Sequence, residues 1–113
     1  MAEPSLTSVF GAGATQDASS LTIQKADLTA LGLTPSATNS AEALFAAIVA
    51  NAQTALTQEG FNTNLDQSIV ISDGLASIVS RDNGAGTFVG YRQRQLNVNL
   101  HKLDDDTFSA DDY

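Results

Sequence analysis

Residues 39–60, NSAEALFAAIVANAQTALTQEG, decide the fold, because they carry the longest sustained apolar period of the chain. Leu44, Phe45, Ile48, Val49, Ala52, Ala55 and Leu56 recur at three- and four-residue spacing, which on a helix of 3.6 residues per turn makes one stripe, while Asn51, Thr54 and Gln58 face away. Asn39 or Ser40 offers an oxygen to a first-turn amide. Glu42, three residues after Asn39, stands where a capping-box carboxylate reaches back. Gly60 is placed to end the helix in the left-handed conformation. A stripe of Leu, Phe, Ile and Val is core, so another apolar face must lie against it.

Downstream of Ser68 the period changes to two. Ile69 and Ile71 share a face, and Asp73-Gly74 reads as the turn of a hairpin leading into Ala76-Ser77-Ile78-Val79-Ser80. Asp82-Asn83-Gly84-Ala85-Gly86 is a second turn, after which Thr87-Phe88-Val89 resumes the extended chain. Tyr91 to Leu103 is the clearest strand, with Leu96, Val98 and Leu100 alternating with Asn97, Asn99 and His101. Upstream, Leu21-Thr22-Ile23-Gln24 alternates as a short strand, Lys25 to Gly32 adds a helical turn, and Thr34 to Ser40 is a polar linker containing Pro35. The expectation is an α+β fold: one amphipathic helix packed on a three- to four-stranded antiparallel sheet across residues 21–103, with extended arms at both ends.

Residues 1–20 hold mostly Ala, Ser, Thr and Gly, with Leu6, Val9 and Phe10 as the bulky apolar residues, and read as an extended N-terminal arm. Ordering about twenty such residues costs roughly 1–2 kcal/mol each, on the order of 20–40 kcal/mol in all. Three apolar side chains return only about 2 kcal/mol each. Residues 104–113 form an acidic tail in which Asp104, Asp105, Asp106, Asp111 and Asp112 accompany Phe108 and Tyr113. Both ends are therefore expected to be held by contacts with a partner. Arg81, Arg92 and Arg94 cluster in the strand region and are positioned by sequence to receive tail carboxylates, in the same copy or a neighbouring one. Arg92 and Arg94 also share the parity of Leu96, Val98 and Leu100, so either a bulge re-aims them or that face is an interface.

Thirteen acidic residues against five basic ones give a charge of −8, which repels nucleic-acid phosphates and anionic membrane surfaces. Cysteine is absent, excluding disulfides and thiolate sites, and His101 is the only histidine, excluding a two-histidine metal site within one chain. Glu3 and Pro4 stand where a signal peptide would carry basic and apolar residues, and the run Leu44 to Ala50 is too short to span a membrane. Phe10-Gly11-Ala12-Gly13-Ala14 begins like a dinucleotide fingerprint, but it lacks the third glycine and a preceding strand and reads as a hinge. The acidic tail lacks the alternating ligands, central glycine and final glutamate of an EF-hand loop. No serine has the surroundings of a nucleophile, and Glu59, Asp66 and Asp73 form no acid–base pair. The expectation is a protein that is not an enzyme and uses no cofactor.

A short, acidic, cysteine-free chain with Ala/Ser/Thr-rich arms around an α+β core resembles, in general character, the small virion structural proteins of tailed bacteriophages. That resemblance implies a virion protein made in the host cytoplasm, of the capsid cement or decoration type, that clamps neighbouring subunits. Its partners would be other virion proteins, above all a major capsid protein, and further copies of itself in a homo-oligomer, with no nucleic acid and no membrane. The expected contact residues are Leu6, Val9, Phe10, Arg92, Arg94, Phe108 and Tyr113. A neck or tail component, or a cytoplasmic adaptor that binds a basic protein through the acidic tail, are the alternatives.

Overall fold

The computed structural model of the protein describes residues 2–103 and 107–113. The expected partners Asp104, Asp105 and Asp106 of the arginine cluster lie outside the described residues. The chain runs through α1 (Leu6–Phe10), β1 (Thr15–Gln16), β2 (Leu21–Thr22), a 3-10 helix (Lys25–Leu31), α2 (Ala41–Ala55), α3 (Gln58–Thr63), β3 (Ile69–Asp73), β4 (Ser77–Asp82), β5 (Phe88–Gln93), β6 (Leu96–Leu100) and a closing 3-10 turn (Ala110–Asp112). The fold is α+β, with helices packed beside antiparallel strands. Where the sequence suggested one sheet, the strands form three two-stranded ladders, β1–β2, β3–β6 and β4–β5.

The central helix begins as its caps require. Ser40 is the N-cap, its Oγ accepting from the Ala43 amide at 3.1 Å. Asn39 braces the linker instead, accepting from the Ser36 amide and donating to the Thr34 carbonyl. The helix stops at Ala55, short of Gly60, because two other groups claim its last turn. The Leu56 carbonyl accepts from the Ile71 amide at 2.9 Å, and Thr57 Oγ1 caps a second helix by accepting from the Gly60 amide at 3.0 Å. Gly60 is thus a first-turn residue of α3. The buried side of α2 is also turned relative to the sequence stripe. Ala47 and Ala52 are buried while Phe45 is 69% exposed, because Leu28 and Leu33 close over Ala47.

Burial is divided between two small clusters. Leu28, Leu33 and Ala47 gather Ile23, Leu31, Leu44 and Ile48, while Ala52, Leu56 and Ile71 gather Val9, Val49, Ile69 and Leu96. The N-terminal segment is part of this body. Leu6–Phe10 forms a helix capped by Ser5 and packed on α2, Val9 enters the second cluster, and Ala14 is buried. Asn51 Nδ2 donates to the Val9 carbonyl at 3.4 Å, the Gly13 amide to Asp27 Oδ2 at 2.7 Å, and Asn64 Nδ2 to the Ala2 carbonyl at 2.8 Å. The glycine-rich segment is therefore a turn fastened to the 3-10 helix, and residues 2–20 hold α1 and the β1–β2 turn. The described part of the tail also returns to the body. Lys102 Nζ lies 3.0 Å from Asp112 Oδ2 and bonds the Thr107 carbonyl, and the Phe108 and Tyr113 rings sit 5.9 Å apart.

The strand pairing departs from the sequence reading at Asp73-Gly74. β3 pairs with β6, from Ile69 opposite Leu100 to Asp73 opposite Leu96, and β4 pairs with β5, from Ser77 opposite Gln93 to Asp82 opposite Phe88. Asp73-Gly74 is not a hairpin turn, since the chain continues outward through it. Between the ladders three residues, Gly74 to Ala76, oppose two, Arg94 and Gln95, so the junction is a bulge joined by the Gly74 amide donating to the Gln95 carbonyl at 2.7 Å. A Cβ at Gly74 would lie 2.7 Å from the exposed Gln95 side chain, which would have to swing aside to admit one.

Candidate functional site

The outer half of this ribbon has no cover. Every residue from 75 to 95 is exposed, and β4 and β5 pack chiefly on one another. Directly opposed residues of an antiparallel pair share a face. One face carries Ile78 with Arg92, Ser80 with Gly90, and Asp82 with Phe88, while the other carries Ser77 with Gln93, Val79 with Tyr91, and Arg81 with Val89. Each face mixes large apolar side chains with polar and charged ones. Ile78 is 68% exposed and Phe88 74%, and on the opposite face the Arg81 guanidinium lies 4.9 Å above the Tyr91 ring. The outer edges of β4 and β5 are unpaired among the described residues.

The tip is ordered by its own side chains. Asp82 Oδ1 accepts from the Gly84 and Gly86 amides at 3.0 and 3.2 Å, Asn83 Oδ1 accepts from Ala85 at 2.8 Å, and the Asn83 amide donates to the Thr87 carbonyl at 2.8 Å. The ribbon is a shaped projection with a fixed end. It is responsible for much of the molecule's shape, which measures 53 × 35 × 26 Å with a radius of gyration of 17.0 Å. A compact domain of this length has about 13 Å. The accessible surface is 8101 Å², against about 5,900 Å² for a compact protein of this mass.

At the root of the ribbon lies a groove of about 320 Å³, walled by Leu31 and Leu33, by Ala43, Ala46 and Ala50 of α2, and by Leu96. Arg94 borders it and pairs at 3.4 Å with Asp73, both side chains being about two-thirds exposed. Such an exposed pair adds little to stability. Three of the five basic residues, Arg81, Arg92 and Arg94, thus sit on the ribbon or its root, beside Asp73 and Asp82.

The seven expected contact residues divide into two groups. Leu6, Val9, Phe10 and Tyr113 are half-buried and meet their own chain, the last three lining one hollow with Leu56 and Ile69. Arg92, Arg94 and Phe108 are exposed. The ribbon residues Ile78, Val79, Phe88, Val89 and Tyr91 did not figure in the sequence expectation, although the apolar character of both parities between Ile78 and Tyr91 was visible. His101 is exposed, with its ring 4.5 Å from that of Phe61 and its Nδ1 3.0 Å from the Ser68 carbonyl. Among the described residues no group of three His, Asp or Glu is placed to hold a metal ion, and no helix is long and apolar enough to cross a membrane. What this arrangement offers is exposed apolar side chains, open strand edges and three arginines beside two aspartates. No protein-family model, curated protein or solved structure matches the chain.

Proposed function

We propose that the protein is a non-enzymatic structural subunit of a tailed-phage virion, of the capsid-decoration class, that clamps neighbouring subunits by inserting its β4–β5 ribbon between them. The observation that carries this reading is a ribbon with large exposed apolar side chains on both faces and, among the described residues, nothing of its own chain covering them. An isolated two-stranded hairpin is at best marginally stable in water, so a chain that extends one from a small core depends on a neighbour to bury it. Insertion would bury Ile78 and Phe88 on one side and Val79, Val89 and Tyr91 on the other, with Arg81 and Arg92 meeting carboxylates. Repetition around a symmetric particle multiplies a modest energy per contact. Quantitative mass spectrometry of particles purified from the native source tests the reading. The expected result is this chain at a fixed ratio to a major capsid subunit, shell-like in number for a decoration protein and ring-like for a neck or tail component. Absence from particles, or a one-to-one complex with a soluble basic protein, would overturn it.

A further inference from the structure

We infer that Asn83, at the tip of the ribbon, is a site of spontaneous deamidation, and that Asp82 restrains the reaction by holding the Gly84 amide. The chemistry is independent of the virion role. Deamidation begins when the main-chain nitrogen of the residue after an asparagine reaches the asparagine Cγ, and a side chain on that residue obstructs the approach. Of the seven asparagines only Asn83 precedes a glycine, while Thr63, Leu65, Val98 and Leu100 follow four of the others. Asn83 and Gly84 are exposed, and a Cβ added to Gly84 would meet nothing within 4 Å, so solvent reaches the peptide bond between them. Loss of the Gly84 amide proton to hydroxide frees the nitrogen to attack Asn83 Cγ. A bond from the Gly84 nitrogen to Cγ forms, the Cγ–Nδ2 bond breaks, and Nδ2 takes up a proton from water and leaves as ammonia, giving a cyclic imide. Water then cleaves the imide. At Cγ it gives aspartate, and at the main-chain carbonyl it gives isoaspartate, in which the chain runs through the side-chain carbons.

The folded tip withholds both reacting groups. The Gly84 amide donates to Asp82 Oδ1 at 3.0 Å, and Asn83 Oδ1 accepts from the Ala85 and Thr87 amides at 2.8 and 3.3 Å. A carboxylate beside the Gly84 nitrogen disfavours the negative charge that deprotonation would place there. Turning Cγ toward that nitrogen gives up the bonds to Ala85 and Thr87. Reaction therefore proceeds from an opened tip, and its rate follows the population of that open form. The site lies just beyond the Asp82–Phe88 pair that ends the ladder, so the tip opens without unpairing the strands. Either product sets a second carboxylate beside Asp82, and isoaspartate adds a backbone carbon to the turn, so each conversion permanently loosens the closure of the ribbon.

The test incubates the full chain in mildly alkaline buffer, folded and in urea, and follows each asparagine by peptide mass spectrometry, with enzymatic methylation to detect isoaspartate. The expected result is conversion at Asn83 ahead of the other six asparagines, with isoaspartate among the products. Conversion should be about 30-fold faster in urea than in the folded chain, because the tip bonds must open first. Folded Asp82→Ala protein, its helices checked by circular dichroism, should convert about tenfold faster than the native chain, and the two should match in urea. An Asn83 that stays intact in urea, or that another asparagine overtakes, would overturn the site. Equal rates for the folded and urea-treated native chain, or a folded Asp82→Ala protein no faster than native, would overturn the restraint. Should the variant lose its fold, the native comparison decides the matter by itself.

Discussion

Replacing Gly60 by alanine should destabilise the protein, against the helix propensity of the two residues, and the sign should reverse when Gln67 is also removed. Gly60 lies in the first turn of α3, where alanine ordinarily gains up to about 1 kcal/mol. A Cβ there would come 2.6 Å from Gln67 Oε1, too close to be accommodated without movement. The Gln67 amide is not free to swing away. The residue is 4% exposed, and its Nε2 donates to the Thr57 and Ile69 carbonyls, each at 2.9 Å, tying the start of α3 to β3 at the root of the ribbon. Displacing it loses two bonds worth about 1 kcal/mol each and leaves a buried amide partly unsatisfied at about 1–3 kcal/mol. After the propensity gain, Gly60→Ala should cost about 2–4 kcal/mol. In a Gln67→Ala background the obstruction is gone and the same change should be neutral or stabilising, giving a coupling of at least about 2 kcal/mol in a double-mutant cycle. Urea unfolding followed by circular dichroism measures all four proteins, with unchanged slopes required for comparison. Equal stabilisation by Gly60→Ala in both backgrounds would refute the pinned amide and the account of how β3 is held.

Val9→Asp should lower stability by about 2–3 kcal/mol in thermal unfolding, since a carboxylate would replace a side chain packed on Ala52, Leu56 and Ile71, whereas an unattached arm would tolerate it within about 0.5 kcal/mol. In amide exchange on the isolated chain, β4 and β5 should show little protection beside a protected β3, and should gain protection on assembly; a ribbon fully protected in a monomer would contradict its need for a neighbour. Asp17 should titrate below the ordinary carboxylate range by carbon NMR, because the Ser19 and Ser20 amides and then their hydroxyls bond its charged form. With the folded pKa depressed, its stabilisation is present above the unfolded value and disappears as the pH falls through the folded one. Asp17→Ala should accordingly loosen the β1–β2 turn without a pH response, and a normal or raised Asp17 midpoint would disprove the turn geometry.

The parts of the fold legible in the sequence were those fixed by local chemistry. Ser40 and the stripe from Leu44 to Leu56 announced α2, and the alternation from Leu96 to Leu100 announced β6. What failed depended on competition between distant groups. Asp73-Gly74 has the composition of a hairpin turn, but pairing Ile69 and Ile71 with Leu100 and Val98 holds the apolar residues of β3 and β6 on one face, and the looser turn at Asn83 to Gly86 closes the ribbon instead. Gly60 looked like a helix end because nothing local reveals that Ile71 will claim the Leu56 carbonyl. The N-terminal helix left a faint signal. Ser5 precedes Leu6, Val9 and Phe10 at helical spacing, yet five residues are too few to form a helix unaided, and α2 supplies the missing energy. For the candidate site, the arginines were noticed through their parity, while the exposed apolar residues of the ribbon were hidden by the expectation that strands with bulky residues lie inside a sheet.

A ribbon with exposed apolar side chains on both faces and two open edges is a hazard to any free chain, because strand edges pair without regard to sequence. Several features of this chain oppose indiscriminate pairing. Arg81 on β4 and Arg92 on β5 place a charge on each strand, a feature that discourages edge pairing. The bulge at Gly74 to Ala76 interrupts the ladder at the root, so no flat edge continues from the body into the ribbon. The net charge of −8 keeps free copies apart at long range. That repulsion should weaken with salt while the attraction between apolar surfaces persists, so free chains should associate more readily as ionic strength rises.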